Sequence, residues 1–181
     1  MKFTPLITTA SIAISIAMPI FAAGSSTPEK PKPTETTMEC EKGFVWNEKS
    51  EKCVEIEESN LNDDQIYLNA RELAYANQYD NALRLLDMAA NPRDPRILTY
   101  QGYAHRKAGR AELANTYYTA ALDIDPTNIT ARSYMGQGMV RSGDMTAAVD
   151  QLIEIASISG KDNWPYRALA NAIRGDITTD Y

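Results

Sequence analysis

The amino-acid sequence predicts an all-α protein: a helical-hairpin solenoid of about three repeats plus a capping helix, preceded by a small disulfide-closed loop or hairpin. Three observations carry this. From about residue 63 the apolar residues follow the 3.6 period of an amphipathic helix. The same arrangement then returns at a spacing of about 34 residues, the mark of a repeated supersecondary unit. Punctuation residues stand at the joints. Asp94 is a good N-cap with Pro95 in the first turn, Gly109 can end that helix in a left-handed conformation, and Asp125-Pro126 closes the helix after it.

The chain has 181 residues, 18 Lys+Arg, 24 Asp+Glu and a formal net charge of -6. Once its ends are discounted there is room for about one domain. At 44% hydrophobic and 23% charged the composition is that of a globular protein, and its acidic balance gives no general pull toward nucleic acid or anionic lipid.

Residues 1–23 read as a secretory signal peptide. Lys2 supplies the positive start, 6–21 is apolar, and Ala22-Ala23-Gly24-Ser25 offers small residues to a peptidase. Pro19 argues against an uncleaved membrane anchor. The expected location is periplasmic or secreted, with no membrane span after cleavage. Residues 24–38, rich in Pro, Ser, Thr, Lys and Glu, form a disordered leader with no apolar area to bury. Residues 39–60 form a small hairpin and acidic linker. Cys40 and Cys53 are the only pair available in an oxidising compartment, so a Cys40–Cys53 disulfide is expected. Between them Phe44, Val45 and Trp46 either form a recognition knob or dock on the neighbouring domain; docking or local packing is favoured. Acids concentrate from 55 to 64.

The clearest repeat runs from 95 to 128. Leu98, Gly102, His105, Gly109, Ala114, Tyr118, Ala121 and Pro126 fall where tetratricopeptide repeats (TPRs) carry a large apolar residue, a small one, an aromatic, a turn glycine, Ala, an aromatic, Ala and Pro. The segment resembles the TPR family. Small residues at Gly102, Ala114 and Ala121 let the paired helices approach closely. In the next unit, 129–162, Gly136, Gly143 and Ala148 keep the pattern, but Leu152, Ile155 and Gly160 replace the aromatic, the second alanine and the proline, so its far end is expected to pack differently. The preceding unit, 61–94, shows Ile66, Ala70, Leu73, Asn77 at the turn, Ala82, Leu86 and Ala89. Residues 163–175 read as a capping helix opened by Asn163-Trp164-Pro165-Tyr166.

A TPR stack curves, and the first helix of each hairpin lines its concave face. The resemblance therefore implies a peptide-binding face built from Tyr67, Arg71, Tyr75, Thr99, Tyr103, Arg106, Lys107, Ser133, Gln137, Arg141, Arg167 and Asn171. Bases and tyrosines dominate it, which suits an acidic or carboxylate-terminated protein or peptide partner. For any single Arg or Lys, plain solvation of a helix is the simpler reading. The acidic 55–64 stretch is a competing occupant from within the chain.

His105, the only histidine, is expected to be structural. The sequence has no zinc-ligand spacing, nucleophile elbow, phosphate loop or dinucleotide fingerprint, so no cofactor or metal and no catalysis is expected. Asp123 and Asp125 read as helix-end charges. The alternative function is a structural or envelope-attached spacer that self-associates or docks through the Cys40–Cys53 loop.

Overall fold

The computed structural model describes residues 40–47, 50–58 and 60–176. The expected signal peptide and leader lie outside the described residues.

Two short strands come first, β1 (Phe44–Asn47) and β2 (Lys52–Glu55), paired antiparallel with Val45 opposite Val54 and Trp46 opposite Cys53. A two-stranded hairpin of this length is marginal alone. It is held by the Cys40–Cys53 disulfide, whose Cα atoms stand 5.5 Å apart. It is also held by docking: Val45 and Ile56 are buried in the main apolar core with Ile66 and Leu73, while Phe44 and Trp46 are half-buried. A 3-10 turn, Ile56–Glu58, leads on, and its first N–H donates to the Gly43 carbonyl at 3.1 Å.

Among the described residues, seven helices follow: α1 (Asp63–Tyr75), α2 (Tyr79–Leu86), α3 (Pro95–Lys107), α4 (Ala111–Ile124), α5 (Ile129–Ser142), α6 (Met145–Ser159) and α7 (Trp164–Ile173). Five of their starts carry a side-chain cap, α2 and α4 being the exceptions. Asn62 and Gln65 form a capping box on α1, Asp94 caps α3 through the Arg96 N–H with Pro95 in the first turn, and Asn163 caps α7 through the Tyr166 N–H. The hairpin turns need a left-handed residue. Gly109 (φ 83°) and Gly143 (φ 87°) supply it, and Asn77 (φ 61°) does so for the first hairpin.

α1 packs on α2, α3 on α4 and α5 on α6, so three helical hairpins follow one another. The first helices α1, α3, α5 and α7 stand side by side, each touching the next. Ile66, Ala70, Leu73, Ala82, Leu86, Ala114, Tyr118, Ala121 and Ala148 are all buried at these seams. A Cβ added at Gly102 would stand 2.6 Å from Tyr118 Cε1, so the glycine makes room for that ring. In the third hairpin the corresponding Gly136 faces Leu169 of α7 instead, at 2.6 Å from Cδ2. Leu169 occupies the space that a tyrosine fills one hairpin earlier, and Ile129, Ile155 and Leu169 form a separate small core there. The altered packing expected from Leu152 and Ile155 is therefore realised by the closing helix. Among the described residues, no helix is long and apolar enough to cross a membrane.

Candidate functional site

The first helices place a cluster of aromatic rings where they meet: Tyr67 and Tyr75 from α1, Tyr100 and Tyr103 from α3, Tyr134 from α5 and Trp164 from α7. Tyr100 and Tyr134 are one repeat apart and so point to the same seam. Their rings lie 6.1 Å from each other, Tyr103 lies 4.7 Å from Tyr134, and Trp164 closes the row at 5.8 Å from Tyr134. The contacts are edge-on or tilted, the arrangement that ring quadrupoles favour.

At the centre, the Tyr75 hydroxyl meets those of Tyr100 (2.6 Å) and Tyr134 (2.5 Å). Burial pushes Tyr100 up to about 12 and raises Tyr75 and Tyr134 well above the ordinary phenol value. All three stay neutral and act as hydrogen-bond groups.

Three arginines lean on these rings. Arg106, 4% exposed, lies over Tyr103 (5.6 Å) and Tyr134 (5.9 Å), with its Nη2 3.5 Å from Gln137 Oε1. Arg71 lies 5.9 Å over Tyr75 and Arg96 lies 5.1 Å over Tyr67. Cation–π contact is one way a partly dehydrated guanidinium is compensated.

The twelve residues expected to line the face separate into two groups. Tyr67, Thr99, Tyr103, Arg106, Ser133 and Gln137 are buried. Thr99 donates to the Pro95 carbonyl and accepts from Asn128, while Ser133 donates to the Pro165 carbonyl and accepts from Gln137. These six tie the first helices together and present almost no area to a partner, which corrects their expected role as surface contacts. The physical reason is close approach: α1, α3, α5 and α7 pack near enough for the side chains between them to meet. Arg71, Tyr75, Lys107 and Asn171 are half-buried, and Arg141 and Arg167 are exposed. Those six remain at the surface, with Arg167 paired to Asp162 at 2.9 Å.

No family model, curated protein or solved structure matches this chain.

The acidic stretch makes contacts at three residues. Glu57 pairs with Arg84 on α2, which holds its carboxyl below the usual range, and Asp64 pairs with Arg96 at 2.8 Å. Asp63 accepts the N–H groups of Ala90 and Asn91, pinning the exit of the short first hairpin. His105 stacks on Tyr117 at 5.2 Å and its Nδ1 accepts from Arg110 Nε at 2.8 Å, a packing role. Among the described residues, no group of three or more His, Cys, Asp or Glu is placed to hold a metal ion.

Sequence reasoning missed Tyr100, Tyr134 and Trp164 as the floor of this face, although the recurrence of tyrosine one repeat apart was there to be read. It also missed how charge is sorted by helix from α3 onward. In α3, α5 and α7 the charged side chains are Arg96, Arg106, Lys107, Arg132, Arg141 and Arg167, all basic; in α4 and α6 they are Glu112, Asp123, Asp150 and Glu154, all acidic.

Proposed function

We propose that the chain is an exported, non-catalytic TPR protein-interaction module that holds an acidic or carboxylate-terminated segment of another protein on the face of its first helices. One observation carries this reading: the sorting of charge, which leaves the first helices from the second hairpin onward with bases and no acids. Arg141 and Arg167 supply exposed guanidinium groups, and Arg71, Tyr75, Lys107 and Asn171 border the aromatic floor. Such a surface offers charge-assisted hydrogen bonds above rigid rings. The repeated hairpins, with Asn77, Gly109 and Gly143 at equivalent turns, support the TPR reading. The Cys40–Cys53 disulfide fits an oxidising, non-cytoplasmic compartment, and export through residues 1–23 would bring the chain there.

The spacer alternative gains nothing from the hairpin, because Val45 and Ile56 are fastened into the helical core rather than projecting from it.

The test uses the exposed pair, since replacing buried Tyr103 or Arg106 would damage the fold. The purified protein is titrated with an acidic peptide bearing a free carboxylate and with its basic counterpart. Arg141→Glu with Arg167→Glu should weaken the acidic peptide about tenfold or more, and added salt should weaken it further. Equal affinity of the double variant and the parent protein would sink the reading.

A further inference from the structure

The third hairpin differs from the second on the side turned away from its own core. Helix α6 exposes Met145 (43%), Val149 (39%) and Ile153 (59%), which recur every four residues and so lie along one stripe of the helix. Half-buried Leu152 and Ala156 fall in the same stripe and join it to the interior.

A shift of one repeat, matching Ala148 to Ala114, puts Ala111, Asn115 and Thr119 of α4 at these places, and all three are exposed. The hairpin architecture therefore accepts small and polar residues here. Nothing in its packing calls for Met, Val and Ile, and a contiguous exposed apolar patch marks a contact surface.

Size and charge indicate what covers it. Three side chains of this exposure offer on the order of 300 Å², well below the roughly 800 Å² that each partner of a stable dimer buries, but about the width of one helix. Asp150 and Glu154, each exposed, follow Val149 and Ile153 directly and border the stripe, and α6 contains no basic residue. Two copies pairing through α6 would bring acids and no base to the seam. An anionic lipid surface would want lysine and arginine at the border instead.

We infer that the Met145–Val149–Ile153 stripe is a docking site for a basic amphipathic helix of another protein. The apolar side of that helix packs on the stripe, and its Lys or Arg border meets Asp150 and Glu154. The site stands on the helix row opposite in charge to the basic face, and it does not depend on what that face binds.

The probe is a synthetic Leu/Lys amphipathic peptide of about 20 residues, long enough to form a helix. A Leu/Glu peptide of the same pattern is the control, and binding is followed by fluorescence anisotropy. The triple variant Met145→Ala, Val149→Asn, Ile153→Thr carries the residues that α4 already bears, so its circular dichroism and melting should match those of the parent protein. The Leu/Lys peptide should bind the parent protein and lose about tenfold or more in affinity both on the triple variant and on Asp150→Lys with Glu154→Lys. The Leu/Glu peptide should not bind the parent protein. Unchanged affinity on the triple variant would overturn the proposal. So would a dimer seen by light scattering, or binding to phosphatidylserine vesicles, that the triple variant abolishes.

Discussion

Gly102 measures how little room lies between the paired helices. Gly102→Ala would gain about 1 kcal/mol of helix propensity but drive a methyl into the buried Tyr118 ring, where overpacking costs about 1–3 kcal/mol. A lowered melting temperature is expected, with a smaller loss for Gly136→Ala because the tip of Leu169 can turn aside. His105 gives a pH-dependent counterpart. Burial, with Arg110 beside it, lowers its pKa below the ordinary value of 6.5, so the folded state binds fewer protons than the unfolded state. Its contribution is present in full above about pH 6.5 and is lost as pH falls below that. His105→Phe keeps a ring against Tyr117 and should flatten the slope of stability between about pH 5 and 7 in denaturant titrations. Turn and cap residues were legible in the sequence because what they satisfy is local: a left-handed backbone at Asn77 and Gly109, orphan N–H groups at Asp94 and Asn163. The burial of Tyr103 and Arg106 was not. It depends on how closely one hairpin lies on the next, a quantity no single residue type encodes.

At the scale of elements, the N-terminal hairpin depends on two fastenings, the disulfide and the burial of Val45 with Ile56. Cys40→Ser with Cys53→Ser removes the first. On the chain-entropy account a loop of this length is worth about 3 kcal/mol, so amide hydrogens from 44 to 56 should exchange much faster while those of α3 to α6 keep their protection. Equal protection of both regions in the variant would show that docking alone is enough. The pairing of the cysteines could be read from compartment and from their being the only pair, and the smallness of the aromatic loop favours docking or local packing over a projecting knob. The share of α7 in the third hairpin could be read only in part: Leu152 and Ile155 announced a departure from the pattern, but that Leu169 fills the space required knowing where the closing helix lies. The length of α2 shows the same limit. At eight residues it is shorter than the other second helices, and Asp63 reaches back to hold its exit.

For the whole molecule, the sorting of charge from the second hairpin onward makes α3, α5 and α7 basic and α4 and α6 acidic, although the net charge of -6 conceals both. The aromatic cluster acts at this scale too. Tyr75→Phe deletes one hydroxyl and takes one hydrogen bond each from the buried Tyr100 and Tyr134 hydroxyls, at about 0.5–1.5 kcal/mol per bond lost. Chemical denaturation should show a loss larger than Tyr166→Phe at the half-buried edge of α7. In a row of units that touch only their neighbours, unfolding can begin at an end and travel inward one unit at a time. The Tyr75 hydroxyl belongs to the first hairpin and grips the third, so the first cannot peel away without opening the floor beneath the last. Unfolding should accordingly be one concerted event, with equal calorimetric and van't Hoff enthalpies, and damage at either end of the row should be felt at the other.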